Sequence, residues 1–420
     1  MKQHHAWTRD RIAAAGVLAL FLGLAFMRFV PGPEPGTALF ALGAMAVSIV
    51  HWGSEAGSAD APDQSLRRRL SVGLLLALLA SALVGMSAAH PLAATAKSAA
   101  PFLVLVWGLL VLVPWIPGAQ RLDGLLVLAA SVWAVRLIVA GVLDFLSDTS
   151  LNWLRLTLVD ADAVVPFPLI IIPLILFSDW QAPRIWKVAA LLLQLVIVAW
   201  TGYRSQQMLV AIMLLVALGR LVLQRPMLGT LVLLSLAGLA GYLVSNNTDA
   251  TLLTAQFERF TTLSEETETS GRALERQFAL DRFLDYPLLG AGLGVQVPAS
   301  ITYASTEITD DYELPETVSY LHNAPFFLIM TGGLPLLLAY LAVWVAAFLT
   351  TKNLWVRWAL LALFAFIQVE ATFLQVHFNV LLALLMGRQF MCAGPTVPCE
   401  APAERPRRPC ATAVPVAEAG

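Results

Sequence analysis

The sequence predicts an all-α, polytopic integral membrane protein with one large, partly helical loop on its outer side, and three observations carry that prediction. Of 420 residues, 58% are hydrophobic and only 13% charged, against about 25% charged in an ordinary soluble domain. Apolar windows of about 20 residues, the length that crosses a hydrocarbon core, recur along the whole chain. The basic residues of the short connections between those windows fall on one side only. No water-soluble fold hides that much apolar surface, so lipid must solvate most of it. A net charge of −2 with no basic stripe speaks against nucleic-acid binding.

Counting windows gives about twelve spans, at 12–30, 36–52, 70–89, 101–117, 122–143, 163–179, 186–202, 205–222, 228–245, 324–349, 355–374 and 376–393. The first run, Ile12–Val30, lacks a small-residue cleavage site and meets a second span at once, so it is read as a retained helix. The joins near residues 203 and 375 leave room only for tight turns. With the N-terminus inside, the inner connections hold Arg67-Arg68-Arg69, Arg121, Arg184 with Lys187, Arg220 with Arg225, and Lys352 with Arg357. The outer ones, Pro31–Pro35, His90–Lys97, Asp144–Asp162, the turn at Tyr203, the long loop and Glu370–His377, are poor in Lys and Arg. The expected organisation is nine spans in 1–245, a periplasmic loop in 246–322, three spans in 323–393 and a disordered cytoplasmic tail in 394–420. Cys392, Cys399 and Cys410 all lie at or beyond the last span, so nothing suggests a disulfide in the loop.

On this topology several charges gather toward one leaflet. Arg204, in Thr201-Gly-Tyr-Arg-Ser205, and His322-Asn323 emerge on the same side at similar depth. Arg136 sits in the outer half of the fifth span, Arg28 near the outer end of the first and Glu370 near that of the eleventh. Each embedded charge costs a few kcal/mol, roughly 2.5–3.5 on insertion scales, so several at one level point to a polar cavity that needs them.

The long loop is acidic, with thirteen Asp or Glu against four Arg (Arg259, Arg272, Arg276, Arg282) and no Lys between Asn246 and His322. Thr254–Leu263 reads as a short helix. A stronger one runs from Arg272 to Leu284, with Ala273, Leu274, Phe278 and Phe283 on its apolar side, and Pro287 forbids its continuation. Gly290, Gly292 and Gly294 then suit a tight backbone beside a ligand or a helix end. This is not a nucleotide-type phosphate loop, because it follows a helix and lacks the Lys-Ser/Thr ending. Val297–Val318 reads as irregular.

In these pieces the chain resembles the O-antigen ligase and polymerase superfamily of bacterial membrane glycosyltransferases. The matching residues are Thr201-Gly-Tyr-Arg204-Ser, Gly271-Arg272, Asp285-Tyr-Pro-Leu-Leu-Gly-Ala-Gly-Leu-Gly294, His322-Asn323 and Gly332-Gly333-Leu-Pro335, in that order, over about residues 195–345. Two positions depart from the pattern: Leu336 replaces the usual glycine after Gly-Leu-Pro, and the tryptophan that often follows the loop arginine is missing near Gln277. The resemblance implies transfer of a glycan from an undecaprenyl-diphosphate-linked donor in the bacterial inner membrane, at the periplasmic face. The acceptor is a lipid A-core sugar in a ligase and another carrier-linked glycan in a polymerase. It also implies inversion, no metal and no other cofactor. By residue, it makes Arg204, Arg272 and His322 the catalytic set.

The chemistry of these side chains agrees. Guanidinium groups bind phosphate oxygens bidentately and stay charged near lipid, so Arg204 and Arg272 suit a diphosphate leaving group. The imidazole of His322 suits the acceptor hydroxyl, with Asn323, Arg136 and Arg276 as further substrate contacts. Plainer readings stand beside these. Arg204 could snorkel to the interface, Arg272 could pair with Glu268 or Glu275, Asn323 could cap a helix, and Arg136 could pair with Asp144. Asp160 and Asp162 could bind a divalent cation or simply edge a solvated loop. With one large loop and a modest second at Asp144–Asp162, a ligase is favoured over a polymerase of capsule, exopolysaccharide or O-antigen. A carrier-lipid transporter would need an internal repeat and polar groups near the midplane, which the sequence does not display.

Overall fold

In a computed structural model, the described residues are 2–26, 35–52, 62–116, 119–147, 166–201, 203–235, 271–302 and 316–392. Arg28, Asp160, Asp162, the proposed helix at Thr254–Leu263 and the C-terminal tail lie outside them. The helices run α1 Lys2–Phe26, α2 Pro35–Trp52, α3 Pro62–Ser87, α4 Leu92–Trp107, α5 Ala119–Ser147, α6 Pro166–Phe177, α7 Arg184–Thr201 and α8 Arg204–Gln224. They continue with α9 Pro226–Ser235, then α10 Gly271–Asp285, α11 Ala324–Thr350, α12 Leu354–Phe366 and α13 Val376–Cys392. Every apolar window read from the sequence contains a helix. Among the described residues, five runs are long and apolar enough to cross a membrane: Ser65–Ser87, Leu92–Trp115, Ala119–Val139, Ser205–Gln224 and Ala324–Thr350. Shorter apolar stretches of 10–17 residues lie at Arg11–Leu24, Thr37–Trp52, Pro166–Phe177, Pro226–Ser235, Leu354–Phe366 and Val376–Arg388.

Three boundaries differ from the sequence reading. The fourth helix starts at Leu92, not near residue 101, because Pro91 at its N-cap needs no donor and Pro101 is tolerated inside. Lys97 therefore sits in a helix, not in an outer connection. That helix ends in a π-helical turn, Gly108–Leu112, and a 3₁₀ turn around Pro114. The eleventh window breaks early: α12 stops at Phe366, so Glu370 lies in the connection beyond it. Within the loop, the ends of Val297–Val318 are ordered, with β1 Val297–Pro298 antiparallel to β2 Thr317–Val318.

The glycine-rich segment after α10 is buried between helices instead of lying over them. Its position follows from a break in α11. Gly333 leaves the helix (φ 59°, ψ −157°), and Pro335 has no N–H to give to the carbonyl of Thr331, four residues earlier. The loop supplies what the break removes. The N–H of Ala291 donates to Met330 O at 2.7 Å and that of Gly292 to Thr331 O at 3.0 Å. Ser81 of α3 adds its hydroxyl to Thr331 O at 2.7 Å, while Ser81 O accepts from Leu293 N–H at 3.1 Å. On the other flank, Thr95 of α4 donates to Leu293 O at 3.1 Å and His90 Nε2 contacts Ala291 O at 2.9 Å. The loop thus stitches α3, α4 and α11 together.

Gly292 has φ 93°, and a Cβ there would strike the backbone of Gly85 on α3. The left-handed region costs an L-residue about 1–2 kcal/mol even without a collision. Gly292→Ala should therefore lower the thermal unfolding midpoint in detergent markedly, whereas Gly73→Ala, where a Cβ meets nothing within 4 Å, should leave it nearly unchanged. Equal midpoints for the two variants would contradict this packing.

Beneath this seam an aromatic cluster ties α4 to α11 and to the turn after α12. Phe102 stands 5.7 Å edge-on to Tyr340 and 6.5 Å from Phe327, and Phe327 stands 5.5 Å from Phe373. Such pairs add about 0.5–1.5 kcal/mol beyond their burial. A second tie lies elsewhere in the bundle. Arg388 of α13 makes a two-pronged ion pair with Asp123 of α5 (Nε to Oδ1 2.7 Å, Nη2 to Oδ2 2.8 Å) under the ring of Trp355, and both side chains are buried.

Candidate active site

The long loop meets the helices where α10 packs on α11. The buried face of α10 coincides only in part with its apolar side. Leu274 is exposed, Phe278 is half-buried, and the buried positions are Glu275 and Ala279. A residue three before Glu275 shares its face, so Arg272 points the same way.

Glu275 organises the site. Its Oε1 accepts from Nδ1 of His322 at 2.7 Å, and its Oε2 accepts the backbone N–H of the same residue at 3.1 Å. A carboxylate has no proton to give, so Nδ1 carries the hydrogen and Nε2 is left as the basic nitrogen. The ring of Tyr320 stands edge-on to that imidazole, centroids 5.6 Å apart. The next residue fixes the backbone. Asn323 caps α11 by accepting from Phe326 N–H at 3.2 Å, and its amide donates to Gln368 O. Ala324 N–H donates to Ile367 O at 2.9 Å. The end of α12 thereby holds His322 in place, and two residues past Gln368 that connection presents Glu370.

Arg272 lies between the two carboxylates. Nη1 is 3.9 Å from Glu275 Oε2 and Nη2 is 3.8 Å from Glu370 Oε2. Both separations exceed hydrogen-bond length. The side chain is 40% exposed overall, yet Nη1 is buried with no hydrogen-bond acceptor among the described residues. Burial lowers the guanidinium from its usual value, and Glu370, Glu275 and Tyr320 act in the opposite sense. Burial also pushes the Glu370 carboxyl up to about 7, opposed by Arg272 and assisted by Glu275.

The other residues singled out by sequence are placed as follows. Arg204 opens α8 directly after Tyr203, whose ring packs edge-on against Phe366 at 6.4 Å. Its backbone therefore stands beside the end of α12 that pins Asn323; its side chain lies outside what is described. Arg276 is exposed and donates from Nε to the carbonyl of Arg272 on its own helix at 3.2 Å. Arg136 is apart from this cluster. Its guanidinium lies over Trp133, 5.4 Å from the ring centroid, and Nη1 has no acceptor among the described residues. Trp133 in turn donates to Leu24 O of α1.

In the sequence Glu275 stands out only as a salt-bridge partner for Arg272, and Glu370 only as one of several embedded charges. The spacing of Arg272 and Glu275 was the available signal for the first. Nothing local marks Glu370, which is nearly fifty residues past His322. Among the described residues no group of three or more His, Cys, Asp or Glu has the grouping of a metal site.

No curated protein matches the chain. A protein-family model described as O-antigen ligase matches residues 189–341. That stretch runs from within the first half of α7 to a point past the middle of α11, and it holds Arg204, Arg272, Glu275, His322 and Asn323 together with the broken Gly332-Gly333-Leu-Pro335 turn. Over residues 189–341 the chain is therefore similar to the O-antigen ligase family, and its apolar helices are those of a multi-pass membrane protein.

Proposed function

We propose that this protein is an O-antigen ligase-type transferase of the bacterial inner membrane, moving a glycan from an undecaprenyl-diphosphate carrier to a lipid A-core hydroxyl at the periplasmic face. The observation that carries the reading is the imidazole of His322 held by buried Glu275 at 2.7 Å beside the guanidinium of Arg272. In a single inverting displacement, His322 Nε2 takes the proton of the acceptor hydroxyl. That oxygen forms a bond to the anomeric carbon, and the bond from that carbon to the diphosphate breaks. The electron pair leaves on the phosphate, where Arg272 and Arg204 meet the growing charge. Glu275 steadies the imidazolium that forms. The membrane topology that goes with this reading has about twelve spans, the N-terminus inside, and residues 246–322 outside with the acceptor.

Reconstitution in liposomes with a lipid-linked glycan and lipid A-core tests it. The wild-type protein should transfer glycan without an ion gradient, and Arg204→Ala, Arg272→Ala and His322→Ala should each lose transfer while still inserting. Full activity in all three variants would overturn the mechanism. The profile of a null strain decides the acceptor. Bare lipid A-core with accumulated carrier-linked polymer is the ligase outcome, whereas single-unit caps would mark a polymerase.

A further inference from the structure

A site proposed to receive a diphosphate carries more negative than positive charge among its described side chains. One guanidinium, Arg272, faces two carboxylates, Glu275 and Glu370, at nearly equal distances of 3.9 and 3.8 Å. The two acids are not equivalent. Glu275 is committed twice to His322, through the ring and the backbone N–H, and is almost wholly buried. Glu370 is about one-fifth exposed, and its carboxylate stands 3.8 Å from Nη2 of Arg272, whereas Glu275 stands 3.9 Å from Nη1.

We propose that Glu370 is a stand-in anion for the donor: its carboxylate holds Arg272 in the resting enzyme and gives up that place to a phosphate oxygen, so that donor binding takes up one proton. The inference rests on the glycosyl-transfer reading above. Two features of the geometry support it. At 3.8 Å the Glu370–Arg272 pair lacks a hydrogen bond, so exchanging it for a phosphate contact breaks none. Nη1 of Arg272 is buried without an acceptor among the described residues, and a bidentate phosphate would supply one. The charged groups acting on Glu370 are Arg272 and Glu275 of α10. His322 and Tyr320 stand beyond them, on the loop end, and Arg204 begins α8 at the turn beside Phe366. An ionised Glu370 left beside both Glu275 and a phosphate would meet two like charges, which is why the proton comes with the donor.

The sign follows from the raised value of about 7. Below it Glu370 is neutral and Arg272 is free for phosphate; above it the carboxylate competes. For full competition, apparent affinity falls roughly tenfold between pH 6 and pH 8. The probe is undecaprenyl-diphosphoryl-N-acetylglucosamine, a diphosphate diester whose own phosphates do not titrate in that range, with its Kd measured on the full-length protein in nanodiscs. Wild type should bind roughly tenfold more weakly at pH 8 than at pH 6. Glu370→Gln, a neutral isostere of the protonated acid, should bind equally at both, and Glu370→Asp should restore the slope. A wild-type Kd indifferent to pH, or a Glu370→Gln slope equal to the wild-type one, overturns the inference and leaves the functional reading intact. No binding of the probe at either pH would instead bring down that reading, and the inference with it.

Discussion

Glu275→Gln should lower the rate of glycan transfer by about two to four orders of magnitude, the range seen when a base loses its orienting acid. The carboxylate accepts both from Nδ1 and from the backbone N–H of His322, at 2.7 and 3.1 Å. An amide in its place keeps the volume but brings N–H donors. Turned toward the ring, its NH2 donates to Nδ1, which moves the imidazole proton to Nε2 and removes the base. Turned the other way, it sets two donors against each other at the backbone N–H. Either arrangement leaves His322 present and disarmed. The measurement is single-turnover transfer in proteoliposomes at saturating donor, with thermal unfolding as the control for folding. Glu275→Asp, which keeps the charge but shortens the reach, should fall between wild type and the amide. A Glu275→Gln enzyme with more than a third of the wild-type rate would show that the carboxylate does not act through His322.

The largest effect on stability is expected far from this site. Asp123→Ala should destabilise the bundle by about 3–5 kcal/mol, the cost of leaving one partner of a buried pair behind. Arg388 is buried under Trp355 and meets Asp123 through two hydrogen bonds of 2.7 and 2.8 Å. Without the aspartate its guanidinium loses both of those hydrogen bonds. The double variant Asp123→Leu with Arg388→Met tests the cause, because replacing a whole buried pair by apolar residues of similar volume is often neutral or stabilising. Unfolding midpoints in detergent should drop for Asp123→Ala and largely recover in the double variant. If the double variant is as unstable as the single one, packing alone explains the loss and the ion pair contributes nothing separate.

The sequence marks Glu275 only as a pairing partner for Arg272 and does not single out Asp123 or Arg388, for a physical reason. Hydrophobic windows and the sorting of Arg and Lys across short connections depend on each segment's own transfer energy into lipid, so they are legible one segment at a time. Helix α10 is legible to within a residue or two for the same reason: Gly271 and Pro287 bound it locally. Its apolar side is only partly its buried one: Phe278 packs against the core, but Leu274 is exposed and Glu275 is almost wholly buried. A buried carboxylate is unfavourable on any local scale. It becomes tolerable only once His322 arrives from 47 positions away to take both its oxygens.

The sequence by itself determined that this chain needs lipid, and the ordered motifs that hold Arg204, Arg272 and His322-Asn323, because composition and short-range spacing are properties of the chain alone. Only the tertiary structure decided that Glu275 and Glu370 flank Arg272, that Arg136 stands over Trp133 instead, and that the glycine loop fills the carbonyls freed at Gly333 and Pro335. Those outcomes depend on which distant groups satisfy one another once water is excluded, and a buried charge or an orphaned carbonyl selects its partner by geometry, not by position in the chain.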